Sequence, residues 1–345
     1  MRNPPIPIRH RRANSGSDLL GRLEDRVVGQ PQAMGQIVPY VQMHQAGLSP
    51  EGRPAGVFLL LGPTGTGKTR TVEALAEVLH GSEKHMLKVD CGEFQMEHEV
   101  AKLIGAPPGY LGHRETLPML TQQKLASVAS ESCDLALVLF DEIEKAAPSM
   151  TRMLLGVLDK AVLRLGDNTT VNFERLLIFM TSNLGGREMR REISPDFGFE
   201  ALAPRSGSAI APKLESIGLG AVRRKFPLEF VNRIDALVTY QPLDAASLAV
   251  IVDQQIEALE KHIAKRLDER AFELDVGPAA RRFLLNKGAS REYGARELKR
   301  TILRQLTQPL AAMVANGEIE PGAVVRVEPS AGRENLVLAV EDLAG

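Results

Sequence analysis

The fold of this chain is decided by the stretch Gly62-Pro63-Thr64-Gly65-Thr66-Gly67-Lys68-Thr69, which follows an apolar run at residues 57–61 and precedes a helix-like segment at residues 71–80. A strand, a glycine-rich loop and a helix in this order can form a phosphate site. The glycines let backbone N–H groups close around the β- and γ-phosphates at the partly positive N-terminus of the helix. The sequence therefore predicts binding of a nucleoside triphosphate.

The last two residues of this stretch have side chains that suit the same ligand. Lys68 adds a positive charge beside the phosphates, and the hydroxyl of Thr69 can bind Mg²⁺. A plain structural turn would account for the glycines, but not for the full spacing followed by Lys-Thr. We therefore place every residue from Gly62 to Thr69 in the nucleotide site.

The composition argues against several classes of protein. With 345 residues, 44% of them hydrophobic and 25% charged, the chain can form one large core or two domains. The formal net charge of -1 argues against a nucleic-acid partner, and Cys91 and Cys133 lack the spacing of a zinc site or a disulfide framework. No apolar run approaches the roughly 20 residues of a membrane span. We expect a cytoplasmic protein without a membrane segment.

Charge and periodicity divide the chain into three parts. Residues 1–20 carry four arginines and three prolines, which predicts a disordered basic arm rather than the helix of an organelle-targeting peptide. Residues 21–240 alternate apolar strands with helical segments, which predicts a large α/β domain with a parallel, doubly wound sheet flanked by helices. Residues 241–345 predict a small α+β C-terminal lid domain.

Four smaller predictions concern single segments. In the large domain, the apolar spacing predicts a helix over residues 149–163, and the Ala-, Pro-, Ser- and Gly-rich stretch 201–212 predicts a loop. In the lid, Asp244 is placed to cap a helix over residues 245–267. A further helix is expected over residues 295–315.

Two adjacent acids, Asp141 and Glu142, follow the apolar residues 137–140. At the end of a buried strand two neighbouring carboxylates are costly without a cation. A metal–nucleotide site provides one: Asp141 can hold Mg²⁺ through its water shell, and Glu142 can polarise the water that attacks the γ-phosphate. Two acids that cap the next helix would be the simpler explanation only without the phosphate loop. The two motifs together predict hydrolysis as well as binding.

Three further polar residues are candidates for the same reaction. Asn183 follows another apolar run and could orient the attacking water. Arg233 lies among apolar residues and needs an anion, either a neighbouring subunit's γ-phosphate or an internal acid such as Asp235. Arg296 begins a lid helix and could touch the nucleotide or only solvent. The residues alone leave both arginines open.

One aromatic residue, Tyr110, lies in the glycine- and proline-rich segment 105–112. An aromatic side chain on such a segment is either a gripping element or part of a packed turn. The residues do not decide between these readings.

These motifs, in this order, resemble the AAA+ superfamily, and specifically the second ATPase module of the Clp unfoldases and disaggregases of the ClpB, ClpC and ClpA type. The resemblance runs from about Leu19 to near the C-terminus. It includes Val27-Val28-Gly29-Gln30 as the adenine-side entry and Asp141-Glu142-Ile143-Glu144-Lys145-Ala146 as the Clp form of the acidic motif.

The resemblance implies an ATPase that uses ATP and Mg²⁺ and works as a homo-hexamer on a polypeptide substrate. It also implies roles for residues whose function the sequence left open. These are Val28 at the adenine, Asn183 as sensor 1, Arg233 as the arginine finger, Arg296 as sensor 2 and Tyr110 as the pore-loop aromatic that grips a threaded polypeptide.

The chain departs from the family pattern in three respects. It holds one ATPase module, so we expect a stand-alone module. Residues 113–120 replace the usual acidic, glycine-containing continuation of the pore loop, which leaves substrate handling open. Phe197-Gly198-Phe199 lies about where peptidase-docking members carry an Ile/Leu/Val-Gly-Phe/Leu loop. It could dock on a peptidase ring, although its first residue is not the usual aliphatic.

Two classes of function follow from these observations. The first is an ATP-driven, Clp-like unfoldase or remodelling chaperone that threads polypeptide through a ring pore. The second is a non-threading AAA+ assembly or scaffold ATPase, whose nucleotide state controls oligomer or partner binding. A DNA-acting motor is the weakest alternative, because the near-neutral charge provides no electrostatic footprint for nucleic acid.

Overall fold

A computed structural model describes residues 16–106, 118–193, 207–288, 294–330, 332 and 334–341. The described residues fall into two compact units. The first unit takes its residues from segments 16–61, 68–184 and 215–239, and the second from segments 62–67, 185–214 and 240–341.

The secondary structure of the described residues alternates between helices and strands. In chain order, the helices are α1 (Gly16–Glu24), α2 (Pro31–Gln45), α3 (Lys68–His80), α4 (Ala101–Ile104), α5 (Gln122–Ser127), α6 (Pro148–Lys160), α7 (Gly186–Ile193), α8 (Gly207–Lys225), α9 (Leu228–Val231), α10 (Ala245–Leu267), α11 (Pro278–Gly288), α12 (Ala295–Ile302) and α13 (Gln308–Ala315). The strands are β1 (Gly56–Leu61), β2 (Leu87–Asp90), β3 (Ala136–Asp141), β4 (Val162–Arg164), β5 (Thr170–Asn172), β6 (Leu176–Ser182), β7 (Ala236–Thr239), β8 (Glu273–Val276), β9 (Val324–Pro329) and β10 (Leu336–Glu341).

The first unit is built around a parallel sheet with the strand order β2-β3-β6-β1-β7. In this sheet Leu61 of β1 lies opposite Ser182 of β6, and Asp90 of β2 lies opposite Asp141 of β3. Because the strands run in the same direction, the segments that follow β1, β3 and β6 leave the sheet at one edge. The predicted parallel α/β fold is confirmed, and three of the sequence motifs begin at this edge.

The apolar runs that predicted these strands form the core of the first unit. Every residue of β1 and β6 is buried, as expected for parallel strands covered on both faces. Phe58 stacks on Phe179 with ring centroids 5.0 Å apart, and Tyr40 of α2 meets Phe58 edge-on at 5.0 Å. Burial of each such side chain contributes about 1.5–3 kcal/mol. The edge that carries the polar motifs is therefore held by a rigid apolar sheet.

The second unit combines helices with a smaller sheet, in agreement with the predicted α+β lid. In this sheet β9 pairs parallel with β8 and antiparallel with β10. Ile263, Phe272, Leu310 and Val325 form an apolar cluster. Helix α10 has the predicted bounds, and the Asp244 side chain accepts the N–H of Ser247 at 2.8 Å as its N-cap.

Two predicted helices differ from the structure in their extent. The helix predicted over residues 149–163 ends at Lys160, because Ala161 adopts a left-handed backbone with φ 51°. Leu163 instead lies in β4, which pairs antiparallel with β5. The single helix predicted over residues 295–315 consists of α12, a π-helical stretch at Leu303–Thr307, and α13. Apolar periodicity continues through both changes and therefore does not reveal them.

Two segments that we expected to lack regular structure are partly helical. Residues 16–20 of the predicted arm belong to α1, where Leu19 and Leu23 are buried. Residues 207–212 of the predicted loop belong to α8, whose Leu214 and Val222 are buried. In both cases buried apolar residues of the same helix outweigh a local composition typical of loops. In the part of the chain that the structure describes, no helix is both long enough and apolar enough to cross a membrane.

Candidate functional site

The phosphate loop Gly62–Gly67 connects β1 to α3 and belongs to the second unit. Gly65 has a φ of 80°, a backbone conformation that residues with side chains rarely adopt. The Thr66 hydroxyl donates to the carbonyl of Pro63 at 2.9 Å. The N–H of Ala295 donates to the carbonyl of Gly65 at 3.2 Å. Hydrogen bonds within the loop and from the start of α12 therefore fix the shape of the loop.

The contact between the loop and α12 depends on a glycine beside a predicted site residue. Gly294 has a φ of 51°, and a Cβ on it would lie 2.9 Å from the carbonyl oxygen of Gly65. A larger residue would push α12 away from the loop. Arg296 lies in the first turn of the same helix with an exposed side chain. The sequence pointed to Arg296, whereas the close approach at Gly294 is visible only in the structure.

In the first unit, three of the predicted site residues form one hydrogen-bonded chain. Lys68, at the N-terminus of α3, is only 8% exposed, and its Nζ donates to Asn183 Oδ1 at 2.9 Å. Asn183 Nδ2 donates in turn to Glu142 Oε1 at 3.1 Å. Thr69 follows Lys68 in the first turn of α3 and is half-buried. The structure therefore brings residues 68, 142 and 183 together, although they follow three different strands.

Asp141 ends β3 and is held by a buried threonine and a lysine. Thr181 donates its hydroxyl to Asp141 Oδ1 at 2.5 Å and accepts the N–H of Glu142 at 2.9 Å. Lys88 Nζ lies 2.9 Å from Asp141 Oδ2. Burial by itself raises the pKa of Asp141, but the bonds from Thr181 and Lys88 and the charges of Lys88 and Lys68 outweigh it. The pKa of Asp141 is therefore lowered, and the carboxylate is ionised at neutral pH.

Glu142 has an unusual backbone for a residue with a side chain, at φ 58° and ψ 50°. Such a conformation costs on the order of 1–3 kcal/mol and is concentrated at functional sites. A short 3₁₀ turn, Ile143–Lys145, follows, and the Glu142 side chain does not cap it. Lys145 Nζ lies 2.5 Å from Glu142 Oε2. The helix-capping alternative considered for these acids is therefore not formed.

Two lysines that the sequence argument did not single out neutralise the adjacent acids. Lys88 contacts Asp141, and Lys145 contacts Glu142. Lys145 could have been found from its position three residues after Glu142, since side chains at this spacing lie close together in a helical turn. Lys88 lies on β2, so only the pairing of β2 with β3 reveals it. Two lysine side chains therefore supply part of the positive charge that these adjacent carboxylates require.

Arg233 follows α9 and forms an ion pair with a residue far away in sequence. Its Nε lies 2.9 Å from Asp159 Oδ1, without the alignment of a hydrogen bond. Asp235, the acid nearest in sequence, instead pairs with Arg53 at 3.1 Å and accepts the N–H of Val57 at 2.8 Å. The Arg233 side chain is still 38% exposed. It therefore has an internal partner and a surface that another molecule can reach.

Two predicted site residues and one predicted docking segment remain. Val28 lies in the turn between α1 and α2 and is half-buried. Tyr110 and the Phe197-Gly198-Phe199 segment both lie outside the described residues.

Asp141 and Thr69 offer the donor set that Mg²⁺ takes from a protein when phosphates supply the rest. Mg²⁺ usually binds one or two protein oxygens together with phosphate oxygens and water. Asp141 offers an ionised carboxylate and Thr69 a hydroxyl at the start of α3. Within the described ranges, no group of three or more His, Cys, Asp or Glu residues could hold a metal ion by itself. The residues fit a metal bound with a nucleotide rather than a separate metal centre.

Comparison with known proteins identifies the two parts of the chain independently. Residues 53–237 match the family described as AAA domain (Cdc48 subfamily), and residues 243–327 match the C-terminal, D2-small domain of ClpB protein. Among individual relatives, the chaperone protein ClpB of Meiothermus ruber is 39% identical over 306 residues, covering 88% of this chain. ClpB of Rhodopseudomonas palustris is 40% identical over 311 residues, covering 90% of this chain.

The chain matches only part of each of these longer proteins. It spans 33% of both ClpB relatives. Among solved structures, the S. cerevisiae Hsp104:casein complex in its extended conformation aligns with a TM-score of 0.78 at 28% identity. That alignment covers 94% of this chain and 52% of the other. The expected family is confirmed: the chain belongs to the AAA ATPases, as a module that resembles the second ATPase module of ClpB.

Proposed function

We propose that this chain hydrolyses ATP and couples the reaction to the remodelling of polypeptides. The chain of hydrogen bonds from Lys68 through Asn183 to Glu142 carries the proposal. It links a buried cation at the start of α3, suited to a phosphate, to a carboxylate that can accept a proton. A site for binding alone would need the cation but not the carboxylate.

Each residue of the proposed site has a distinct task. Backbone N–H groups of the phosphate loop and the Lys68 ammonium bind the phosphates, and Val28 lies at the adenine. Asp141 and Thr69 would hold Mg²⁺, which neutralises phosphate charge when it is bound. Asn183 orients the attacking water, and Glu142 accepts its proton. Arg296 would contact the nucleotide, as the resemblance implies.

The polypeptide substrate and the ring are inferred from relatives. The curated relatives are named as chaperones, and Hsp104 forms a complex with casein. By analogy, Tyr110 would grip a polypeptide that is threaded through a homo-hexameric ring. Residues 21–240 would act as the nucleotide-binding domain and residues 241–345 as its lid.

The experiment that tests this function measures ATP hydrolysis by the purified chain, with and without casein as the polypeptide. We expect Mg²⁺-dependent hydrolysis that casein stimulates. Light scattering on the Glu142→Gln variant with ATP is expected to give the mass of six chains. No hydrolysis at all would refute the ATPase function. If monomers or open filaments hydrolyse ATP and casein does not change the rate, the result would instead favour a scaffold ATPase.

Replacing Arg233 by Ala is expected to lower ATP turnover by about 10³-fold while nucleotide binding is kept, because a finger acts only on the transferring phosphate. Mixing Arg233→Ala chains with Glu142→Gln chains should restore part of the activity. In such a ring some sites combine an intact Glu142 with a neighbour's intact Arg233. Turnover of the separate and mixed proteins, with nucleotide binding measured in parallel, checks this expectation.

Asp159→Asn provides the matched control for Arg233, because it breaks the internal ion pair and leaves the arginine in place. We expect this variant to keep most of its turnover, since a partly exposed ion pair is worth only about 0–1 kcal/mol. An equal loss in Asp159→Asn and Arg233→Ala would mean that Arg233 has a structural role. That equal loss of turnover would contradict the assignment of Arg233 as an arginine finger.

A further inference from the structure

Both carboxylate oxygens of Glu142 are engaged by cationic or amide donors. Asn183 donates to Oε1 at 3.1 Å, and Lys145 Nζ lies 2.5 Å from Oε2. Asn183 belongs to the proposed catalytic machinery, but Lys145 has no task in it. Its side chain is 48% exposed, so the core does not require it there. The contact between Lys145 and Glu142 therefore needs an explanation of its own.

The backbone holds these two side chains together. The N–H of Lys145 donates to the carbonyl of Glu142 at 2.9 Å, which closes the 3₁₀ turn at Ile143–Lys145. This hydrogen bond places Glu142 and Lys145 at the two ends of the same turn. The left-handed backbone of Glu142 fixes the direction in which its side chain leaves the strand end. The backbone of the turn therefore holds Lys145 and Glu142 close enough to form the ion pair.

Lys145 is also kept charged by its surroundings. The hydrogen bond with Glu142 and then the charge of Glu142 raise the pKa of Lys145, and Asp90 and Glu144 act in the same direction. The protonated amine on Oε2 attracts the carboxylate and competes with a water for that oxygen. A carboxylate held in this way is less free to move towards the attacking water.

We propose that Lys145 is a positioning residue that restrains Glu142 and thereby limits the basal rate of ATP hydrolysis. The proposal rests on the ATPase function proposed above and assigns a regulatory contact to the same site. In the reaction, the O–H bond of the attacking water breaks and its proton moves to Glu142. The water oxygen bonds to the γ-phosphorus, and the bond between that phosphorus and the β–γ bridging oxygen breaks, leaving its electron pair on ADP. The ion pair holds the carboxylate towards Lys145, and opening the pair frees Glu142 to reach that water.

The test compares Lys145→Met with the wild-type chain in steady-state ATP hydrolysis. Methionine keeps an unbranched side chain but cannot form the ion pair. We expect kcat to rise about two- to fivefold, the range expected when a partly exposed pair worth up to about 1 kcal/mol is removed. The KM for ATP should not change, because Lys145 has no proposed contact with the nucleotide. Lys145→Arg retains a cation at this position and should stay near the wild-type rate.

Lys261→Met is the matched control. Lys261 Nζ also lies 2.5 Å from a carboxylate, Glu257 Oε1, but in helix α10 of the second unit. Its removal should leave kcat and the thermal unfolding midpoint unchanged. Because Lys145 is half exposed, Lys145→Met should also unfold at the wild-type temperature. A kcat that rises in Lys145→Met and not in Lys261→Met supports a local effect on Glu142.

Several results would overturn the proposal. An unchanged or lowered kcat in Lys145→Met would show that the ion pair does not restrain the base. A gain that persists when Glu142→Gln is added, measured by single-turnover cleavage, would show that Lys145 acts elsewhere. If the wild-type chain hydrolyses no ATP, the ATPase function fails and this proposal with it. If the wild-type chain and Lys145→Met both hydrolyse ATP at the same rate, the proposal for Lys145 fails and the ATPase function stands.

Discussion

Glu142→Gln is expected to lower the rate of ATP hydrolysis by on the order of 10²–10⁴-fold, because the amide cannot accept the proton of the attacking water. The substitution preserves the size of the side chain. Its Oε1 can still accept the hydrogen bond that Asn183 donates in the wild-type structure. ATP binding should therefore be retained, and a complex that binds but does not cleave should accumulate. Release of inorganic phosphate, together with the Kd of a fluorescent ATP analogue, measures both quantities.

Glu131→Gln serves as the control for this loss. Glu131 is exposed and lies in the turn before β3, outside the proposed site. Its turnover and nucleotide affinity should both match those of the wild-type chain. Wild-type turnover in Glu142→Gln would mean that another residue is the base. In that case Glu144, which accepts the N–H of Asn183 at 3.0 Å, would be the next residue to replace.

Lys68→Ala is expected to weaken ATP binding by at least about 100-fold, and to abolish hydrolysis at ordinary ATP concentrations. Hydrogen bonds to charged groups contribute about 1.5–3 kcal/mol each, and one ammonium can donate more than one to phosphate oxygens. At 8% exposure the charge acts with little solvent screening, which strengthens its effect. Isothermal titration with ATP and Mg²⁺ measures the affinity directly.

Lys84→Ala distinguishes loss of this particular charge from loss of any positive charge nearby. Lys84 is exposed in the turn that follows α3, so it lies at the opposite end of that helix from Lys68. We expect its ATP affinity to equal that of the wild-type chain. Because Lys68 is buried and donates to Asn183, the melting temperature of Lys68→Ala must also be measured. Tight ATP binding by a folded Lys68→Ala protein would refute the assignment of the phosphate loop.

The parts of the fold that the sequence predicted are those that depend on local pattern. The buried strands β1, β3 and β6 were readable because parallel strands covered on both faces are continuous apolar runs. The cap at Asp244 was readable because its partner, Ser247, lies three residues away. The end of α6 could not be predicted, because it depends on the left-handed backbone conformation of one residue, Ala161.

The candidate site divides in the same way. The phosphate loop and the acids at 141 and 142 could be predicted, because their residue types occur at a fixed spacing. The contacts of Lys88 and Asp159 could not be predicted, because they join segments that are distant in sequence. The sequence offered Asp235 as a partner for Arg233, and only the structure shows that Arg53 and the N–H of Val57 engage it instead. Non-local pairing is therefore the information that a single sequence lacked.

The left-handed backbone at Glu142 sets two evolutionary pressures against each other. Glycine adopts this conformation without the strain that a glutamate carries, so a variant with Gly at this position would lose that cost together with the proposed base. Selection for heat resistance alone would favour replacing the residue that the proposed reaction requires. Attempts to stabilise the module by directed evolution should therefore hold position 142 fixed, since the easiest gains in melting temperature there would come at the expense of activity.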